Sequence, residues 1–186
     1  MAIFKAEKTF HLEKTSTIKL EGSTNFDLFY CKCAKSFAPQ SFALELDDSA
    51  PHTLSFQNTS LRIPVVHLDC GNPLMNKEMF KALNGKRHPD ILIELVKIWQ
   101  PEINFLDIGK AQLALRALVR LSINGQCHEY WLLIHARQLA SSQYRFQGTK
   151  TLCMSEFGIA PPTAMLGIVK VKDEIKIDLD LEVRVE

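Results

Sequence analysis

LRIPVVHLDCGNPLMNKEMFKALNGKRHPDILIEL, residues Leu61 to Leu95, reads as a strand, one short helix and a second strand, in a chain that otherwise alternates like β-sheet. Leu61, Ile63, Val65, Val66 and Leu68 are β-compatible, and Asp69-Cys70-Gly71-Asn72-Pro73 ends the run with turn formers. The period then changes. Met75, Met79, Phe80 and Leu83 share one helical stripe, Asn76 is the expected N-cap, and Glu78 suits the positive end of a helix. Asn84-Gly85 stops the helix, Lys86, Arg87 and His88 crowd its C-terminal side, and Pro89 forbids continuation before Ile91 to Leu95 resumes as strand. One lid-like helix on a β-protein implies a covered cavity.

Outward from this stretch, the clearest architecture lies downstream. Gln112 to Ser122 and Cys127 to Ala136 are apolar-rich runs joined through Asn124-Gly125, the preferred dipeptide of a type I′ hairpin. With that turn, Leu121 faces His128, Val119 faces Tyr130, Ala117 faces Leu132 and Leu115 faces Ile134 on one nearly all-apolar side. The other side pairs Arg120 with Glu129, Leu118 with Trp131 and Arg116 with Leu133, a mixture suited to water or a partner. In the last strand Ile175, Ile177, Leu179, Leu181, Val183 and Val185 alternate with Lys176, Asp178, Asp180, Glu182 and Arg184. At roughly 3.4 Å per residue such strands exceed about 30 Å, which favours a barrel or a strongly coiled sheet, and closure removes exposed edges. Further strands are expected at Lys8 to Leu12, Thr17 to Gly22, Ser41 to Leu46, Arg145 to Met154 and Leu166 to Lys170.

Composition removes several classes of answer. The 186 residues are 46% hydrophobic, and no Pro-, Gly- or Ser-rich linker divides them, so a single domain over 1–186 is expected. Lys plus Arg number 22 against 21 Asp plus Glu, so no strong field points to nucleic acid or an anionic membrane. No apolar run approaches the roughly 20 residues of a transmembrane helix, and Met1 to Lys8 lack the apolar core of a signal peptide.

Motifs for chemistry are missing. The six histidines form no His-Glu-x-x-His, and there is no phosphate loop, dinucleotide fingerprint or Gly-x-Ser-x-Gly elbow. His128 and His135 are seven residues apart in one strand and point to opposite faces, so a structural or surface role is assigned to each. Asp178 and Asp180 lie on a wet strand face, and with Asp69 they read as solvated carboxylates. No catalytic residue, metal site or cofactor is expected. The five cysteines include no Cys-x-x-Cys pair at zinc spacing. Cys70 ends one predicted strand and Cys31 ends another, so a Cys31–Cys70 disulfide that staples the front of the barrel is one reading; five buried or partly buried thiols is the other.

At this point the residues resemble a family. Glu21-Gly22-Ser23-Thr24-Asn25 with Phe29 and Cys31, Cys70-Gly71-Asn72 with Met75-Asn76, the helix to Leu83, and His88-Pro89-Asp90-Ile91 look like the N-terminal half of YceI-like proteins. Phe157-Gly158-Ile159-Ala160-Pro161-Pro162-Thr163-Ala164, then Gly167, Asp173-Glu174 and the alternating last strand, are similar to the ending of that family's Bacteroidetes-type branch. The resemblance runs from Phe10 to Glu186 and rests on the order and spacing of these segments together.

The resemblance implies an all-β, antiparallel lipocalin-like β-barrel of about eight strands, with one short helix near the barrel mouth. It also implies binding of an isoprenoid or other amphiphilic lipid, quinone-like molecules included, a dimer, and export to the periplasm. The residues agree with the barrel, because a long apolar inner face leaves room for one extended ligand. Leu115, Val119, Tyr130, Leu132 and Ile134, with inward residues of the last strand, are the expected tunnel lining, with Tyr130 available to a ligand head group. Met75, Met79 and Phe80 form an adaptable apolar lid. Three classes stay open: a non-catalytic lipid carrier, a filled-barrel interaction or stress-related module without lipid, and an enzyme. Phe42, Phe56 and Phe105 are inward aromatics that would fill ligand space, and the missing signal peptide keeps a cytoplasmic location open.

Overall fold

Asn124 and Gly125 both adopt positive φ (50° and 74°), the backbone a type I′ turn requires. The turn fixes the register of the central hairpin: Leu121 pairs with His128, Val119 with Tyr130, Ala117 with Leu132 and Leu115 with Ile134. This is a computed structural model, and it describes residues 3–33, 37–38, 40–47, 52–99 and 112–186. Phe105 and the start of the run expected from Gln112 border or fall in the segment outside those residues.

In chain order the strands are β1 (Ile3–Leu12), β2 (Thr17–Thr24), β3 (Leu28–Cys33), β4 (Gln40–Asp47), β5 (Thr53–Gln57), β6 (Ser60–Pro64) and β7 (Leu68–Asp69). The helix α1 (Pro73–Ala82) follows, then β8 (Asp90–Trp99), β9 (Leu113–Ile123), β10 (Gln126–Ala140), β11 (Gln143–Cys153), β12 (Thr163–Ala164) and β13 (Val169–Val185). Every recorded pairing is antiparallel, and the order β1-β4-β5-β8-β9-β10-β11-β13 closes on itself because β13 also pairs with β1. The result is a lipocalin-like barrel whose ring has eight strands.

The long strands are shared between two tiers. β13 pairs with β1 near its C-terminus (Val183–Val185) and with β2 over Val171 to Asp180. Likewise β8 pairs with β5 through Lys97–Trp99 and with β6 through Asp90–Glu94. At one end, called here the far end, β1, β4 and β5 complete the wall. At the other, the helix end, β2, β3, β6 and β7 do so, and α1 covers what they leave.

Local chemistry explains the departures from the expected elements. The run Leu61 to Leu68 is not one strand. Pro64 ends β6, a 3-10 turn covers Val65–His67, and β7 is only two residues long. Asn72, rather than Asn76, caps α1: its side-chain oxygen accepts from the backbone N–H of Leu74 at 2.8 Å and of Met75 at 3.4 Å, with Pro73 in the first helical turn, where its missing N–H costs nothing. Asn76 is used otherwise. Its Oδ1 accepts from Cys70 N at 2.7 Å and its Nδ2 donates to Asp69 at 3.2 Å, tying the helix to the preceding loop. The strand expected at Leu166 to Lys170 is half turn: Met165–Gly167 is a kinked 3-10 segment, and β13 begins at Val169 and runs unbroken through the last strand.

Buried side chains form two clusters that match the tiers. At the helix end Ile18, Ile63, Val65, Leu68, Leu83, Ile91, Leu121, Leu152, Phe157 and Ile177 pack together, with Met79 and Phe80 of α1 against them. At the far end Ile98, Leu115, Ala117, Val119, Leu132 and Ala136 pack with Phe56, Ile134 and Phe146. Ile93 and Tyr130 touch both clusters.

Candidate functional site

The helix end holds a wholly apolar cavity of about 70 Å³. Its floor is Leu121, Ile123, Leu152 and Ile177, its sides are Ile18, Ile63, Ile91 and Phe157, and Met79 of α1 with Leu83, the residue that caps the helix, forms its roof. The sequence places these residues by period two along β2, β6, β8, β9, β11 and β13, so each strand turns one or two aliphatic side chains inward. Phe29 also lines it, and its ring lies across Gly22 of β2, where any Cβ would meet the ring at 2.2 Å. Gly22 is thus what allows an aromatic wall at this height.

The roof is stapled. Cys31 of β3 and Cys70, just after β7, form a disulfide that closes a 39-residue separation at the weakest part of the wall. The β3–β7 ladder beside it has only two residue pairs, Lys32↔Asp69 and Cys33↔Leu68. Asp69 fixes the loop that follows, accepting from Gly71 N at 2.9 Å and from Asn76. The Gly71 hydrogen bond, then that of Asn76, holds its carboxyl below the usual range. Cys33 and Cys153 are partly buried free thiols, and Cys127 is an exposed one. Cys153 lines the cavity; burial, then Asp173 and Glu156, pushes its thiol up, so it stays neutral and weakly nucleophilic.

A second cavity of about 30 Å³ lies at the waist, with Val119, Tyr130, Leu132, Gly148, Thr149, Lys150 and Leu179 among its walls. It shares Ile93, Leu121, Leu152 and Ile177 with the larger one. The Tyr130 hydroxyl is buried and makes no full hydrogen bond. Burial, then the charge of Glu156, raises its pKa, so it is a phenol and a donor. The Lys150 ammonium stands 5.0 Å from the Tyr130 ring centroid.

The side chains that sequence reasoning selected are therefore distributed between the two ends. Met79 lines the larger cavity, and Val119, Tyr130 and Leu132 line the smaller. Leu115 and Ile134 line neither: Leu115 is 1% exposed in the far-end cluster, and Ile134 lies across the missing side chain of Gly148, 2.4 Å from where a Cβ would sit. Phe80 packs against the helix-end cluster and over Gly85, and Met75 is half-buried in the helix above. Lys150 was not singled out, although it breaks the inward set Phe146, Gly148, Leu152 of β11, and that break is the signal that marks it. Of the carboxylates, Asp180 takes a two-pronged bond from Arg145 at 2.7 and 2.6 Å, and Asp178 accepts from Thr149 at 2.7 Å, both on the outer face. His128 packs edge-on to Phe157 at 5.0 Å, its Nε2 lying 2.9 Å from the Glu156 carbonyl oxygen, a structural placement.

A model of the YceI-like domain matches residues 13–183. The chain belongs to the YceI-like family. This member shares its fold with a polyisoprenoid-binding domain from Saccharophagus degradans implicated in plant cell wall breakdown (TM-score 0.67, 9% identity, 95% of this chain and 98% of that one). It is also similar to Burkholderia cenocepacia BcnA (TM-score 0.60, 14% identity, 90% and 95% covered) and to the Campylobacter jejuni YCEI protein (TM-score 0.52, 15% identity, 79% and 81% covered). No curated protein matches the YceI-like chain in sequence.

Proposed function

We propose that this YceI-like protein binds and carries an amphiphilic lipid, isoprenoid or quinone-like, inside its barrel without transforming it. The observation that carries the reading is the cavity under α1: aliphatic and aromatic walls, a methionine-bearing roof, and, among the described residues that line it, one neutral thiol as the only titratable group. Such a surface recognises hydrocarbon by excluding water, at roughly 25 cal/mol per Å² of apolar area buried. Among the described residues it offers no charged group on which to build acid–base chemistry. The similar fold of the S. degradans polyisoprenoid-binding domain adds weight from outside the chain. Met79 and Phe80 on a single helix tethered by one disulfide give a roof that can shift as a unit.

The same proposal includes a periplasmic or otherwise exported location, with the cytoplasm as the alternative; a Cys31–Cys70 bridge persists in an oxidising compartment. It also includes a homodimer, measurable by sedimentation. The test of the central claim is native mass spectrometry of freshly purified protein, followed by organic extraction. A stoichiometric apolar adduct is the expected result. An apo mass with no uptake of offered isoprenoids would instead favour the interaction-module reading, which the outer face supports through Trp131 (44% exposed) and Leu133 (57% exposed), with Arg116 5.2 Å from the Trp131 ring.

A further inference from the structure

The wall of the barrel parts beside the smaller cavity. The β10–β11 ladder runs from Ala140↔Gln143 to Ile134↔Gly148 and stops there, although β10 continues back to Gln126 and β11 on to Cys153. Among the described residues, Gln126 to Leu133 are therefore paired through β9 alone. The top of the seam is sealed by the 3-10 turn Met154–Phe157, into which Asn124 Nδ2 donates at the Phe157 carbonyl, 3.0 Å away. Below that seal lies the smaller cavity, almost wholly apolar in its surface, and Tyr130 of β10 and Lys150 of β11 line it from opposite sides of the seam. Both present donors. The Tyr130 hydroxyl is buried and makes no full hydrogen bond, the Glu156 carboxylate being the acceptor beside it, and among the described residues no carboxylate lies within ion-pair distance of Lys150. A buried donor without a full hydrogen bond is uncommon in a native protein and asks for one.

Resting on the lipid-carrier reading, we propose that this seam receives the head of the ligand, and that the head is anionic: a carboxylate or a phosphate monoester whose oxygens accept from Tyr130 and pair with Lys150. The apolar tail then passes along the walls the two cavities share, Leu121, Leu152 and Ile177, to lie beneath Met79. The Glu156 carboxylate, held by Cys153 N at 2.9 Å, stands near Tyr130 and opposes an anion there. Lys150 is consequently the group that tips the site toward negative charge, and removing either charge has an opposite effect.

The test is calorimetric titration of the full chain, below the aggregation limit of each probe, with oleate, oleyl alcohol, farnesyl monophosphate, farnesol and inorganic phosphate. Oleate and farnesyl monophosphate are expected to bind at least about tenfold tighter than the matched alcohols, one decade being the order a single charge-assisted contact supplies. Inorganic phosphate alone is expected not to bind. Lys150→Met should erase the preference by weakening the acids and sparing the alcohols, Lys150→Arg should keep it, and Glu156→Gln should enlarge it. Equal binding of acids and alcohols, or a Lys150→Met loss shared by both, would overturn the anionic head while leaving the carrier reading standing. Binding of inorganic phosphate as tightly as the lipids would make the seam a free-anion site and overturn the proposal. Failure of all five probes would remove the carrier reading with it.

Discussion

The two ends of this barrel are made from the same kinds of side chain and packed to different results. At the far end, β1, β4 and β5 join the ring by continuous ladders, eight residue pairs long between β1 and β4. Ala117 and Ala136 are buried there beside Phe56, and the rings of Phe10, Phe42 and Phe56 meet at centroid distances of 5.7 and 6.2 Å. At the helix end β2, β3 and β6 need a two-residue strand, a 3-10 turn and α1 to complete the wall, and the aliphatic side chains that pack there still leave a cavity of about 70 Å³ between them. The difference teaches that in a small barrel the inner face is filled or hollow according to what closes the ring. Strand ladders bring walls within side-chain reach, whereas a helix spanning the gap holds them apart.

If that contrast is right, the largest effect should come from the staple that the helix end needs and the far end does not. Cys31→Ser with Cys70→Ser is expected to lower stability by about 4 kcal/mol on the chain-entropy account of a loop this long, read as a shift in the urea midpoint. A midpoint unmoved by the double substitution would mean that α1 and β7 hold the roof unaided. Next come paired deletions. Leu115→Ala at the far end should cost about 3–5 kcal/mol, because its neighbours cannot collapse into the space; Met79→Ala should cost about 1 kcal/mol, because its side chain already borders empty volume. Equal losses would erase the distinction between the ends. The reverse substitution sharpens it. Ala117→Leu should overpack and destabilise by about 1–3 kcal/mol, whereas Ile18→Phe should be tolerated in stability and should block uptake of lipid.

What could be read from the chain follows the same division. The hairpin, its register and the closing strand were legible because Asn124-Gly125 fixes a turn and a period of two then names every inward residue. The helix was legible as an element, but its cap was assigned four residues late. Asn72-Pro73 looks like the end of a strand loop as much as the start of a helix, and only the bonds from Asn76 to Cys70 and Asp69 show that the second asparagine is otherwise engaged. The hollow end was not legible. Leu115 and Leu121 are equivalent by pattern, one in a filled core and the other on a cavity floor, and the choice depends on which distant strands complete the wall at each height. Lys150 could have been found by parity alone.

The smallest expected effect separates the ends by acid. Asp69 at the helix end and Asp180 on the outer face toward the far end both have lowered pKa values, the first through the Gly71 hydrogen bond and then Asn76, the second through Arg145 and then Gln147 against the opposing effect of burial. A carboxyl whose folded pKa lies below its unfolded value of about 3.9 contributes stability that is complete above that pH and is lost as pH falls through the folded value. Thermal midpoints should therefore be flat from about pH 5.5 upward and fall below about pH 4, with a shallower acid slope in Asp180→Asn. The two groups differ in what they release. Protonating Asp180 loosens one pair on a ladder eleven residue pairs long between β11 and β13, whereas protonating Asp69 frees the loop that carries Cys70 and anchors α1 through Asn76. Acid should thus raise binding of an apolar fluorescent probe at the helix end before the far end melts, and Asp69→Asn should bring that rise to neutral pH while Asp180→Asn does not. A probe signal that rises only together with global unfolding, in both variants, would show that the roof has no acid-labile latch and that the two ends open as one.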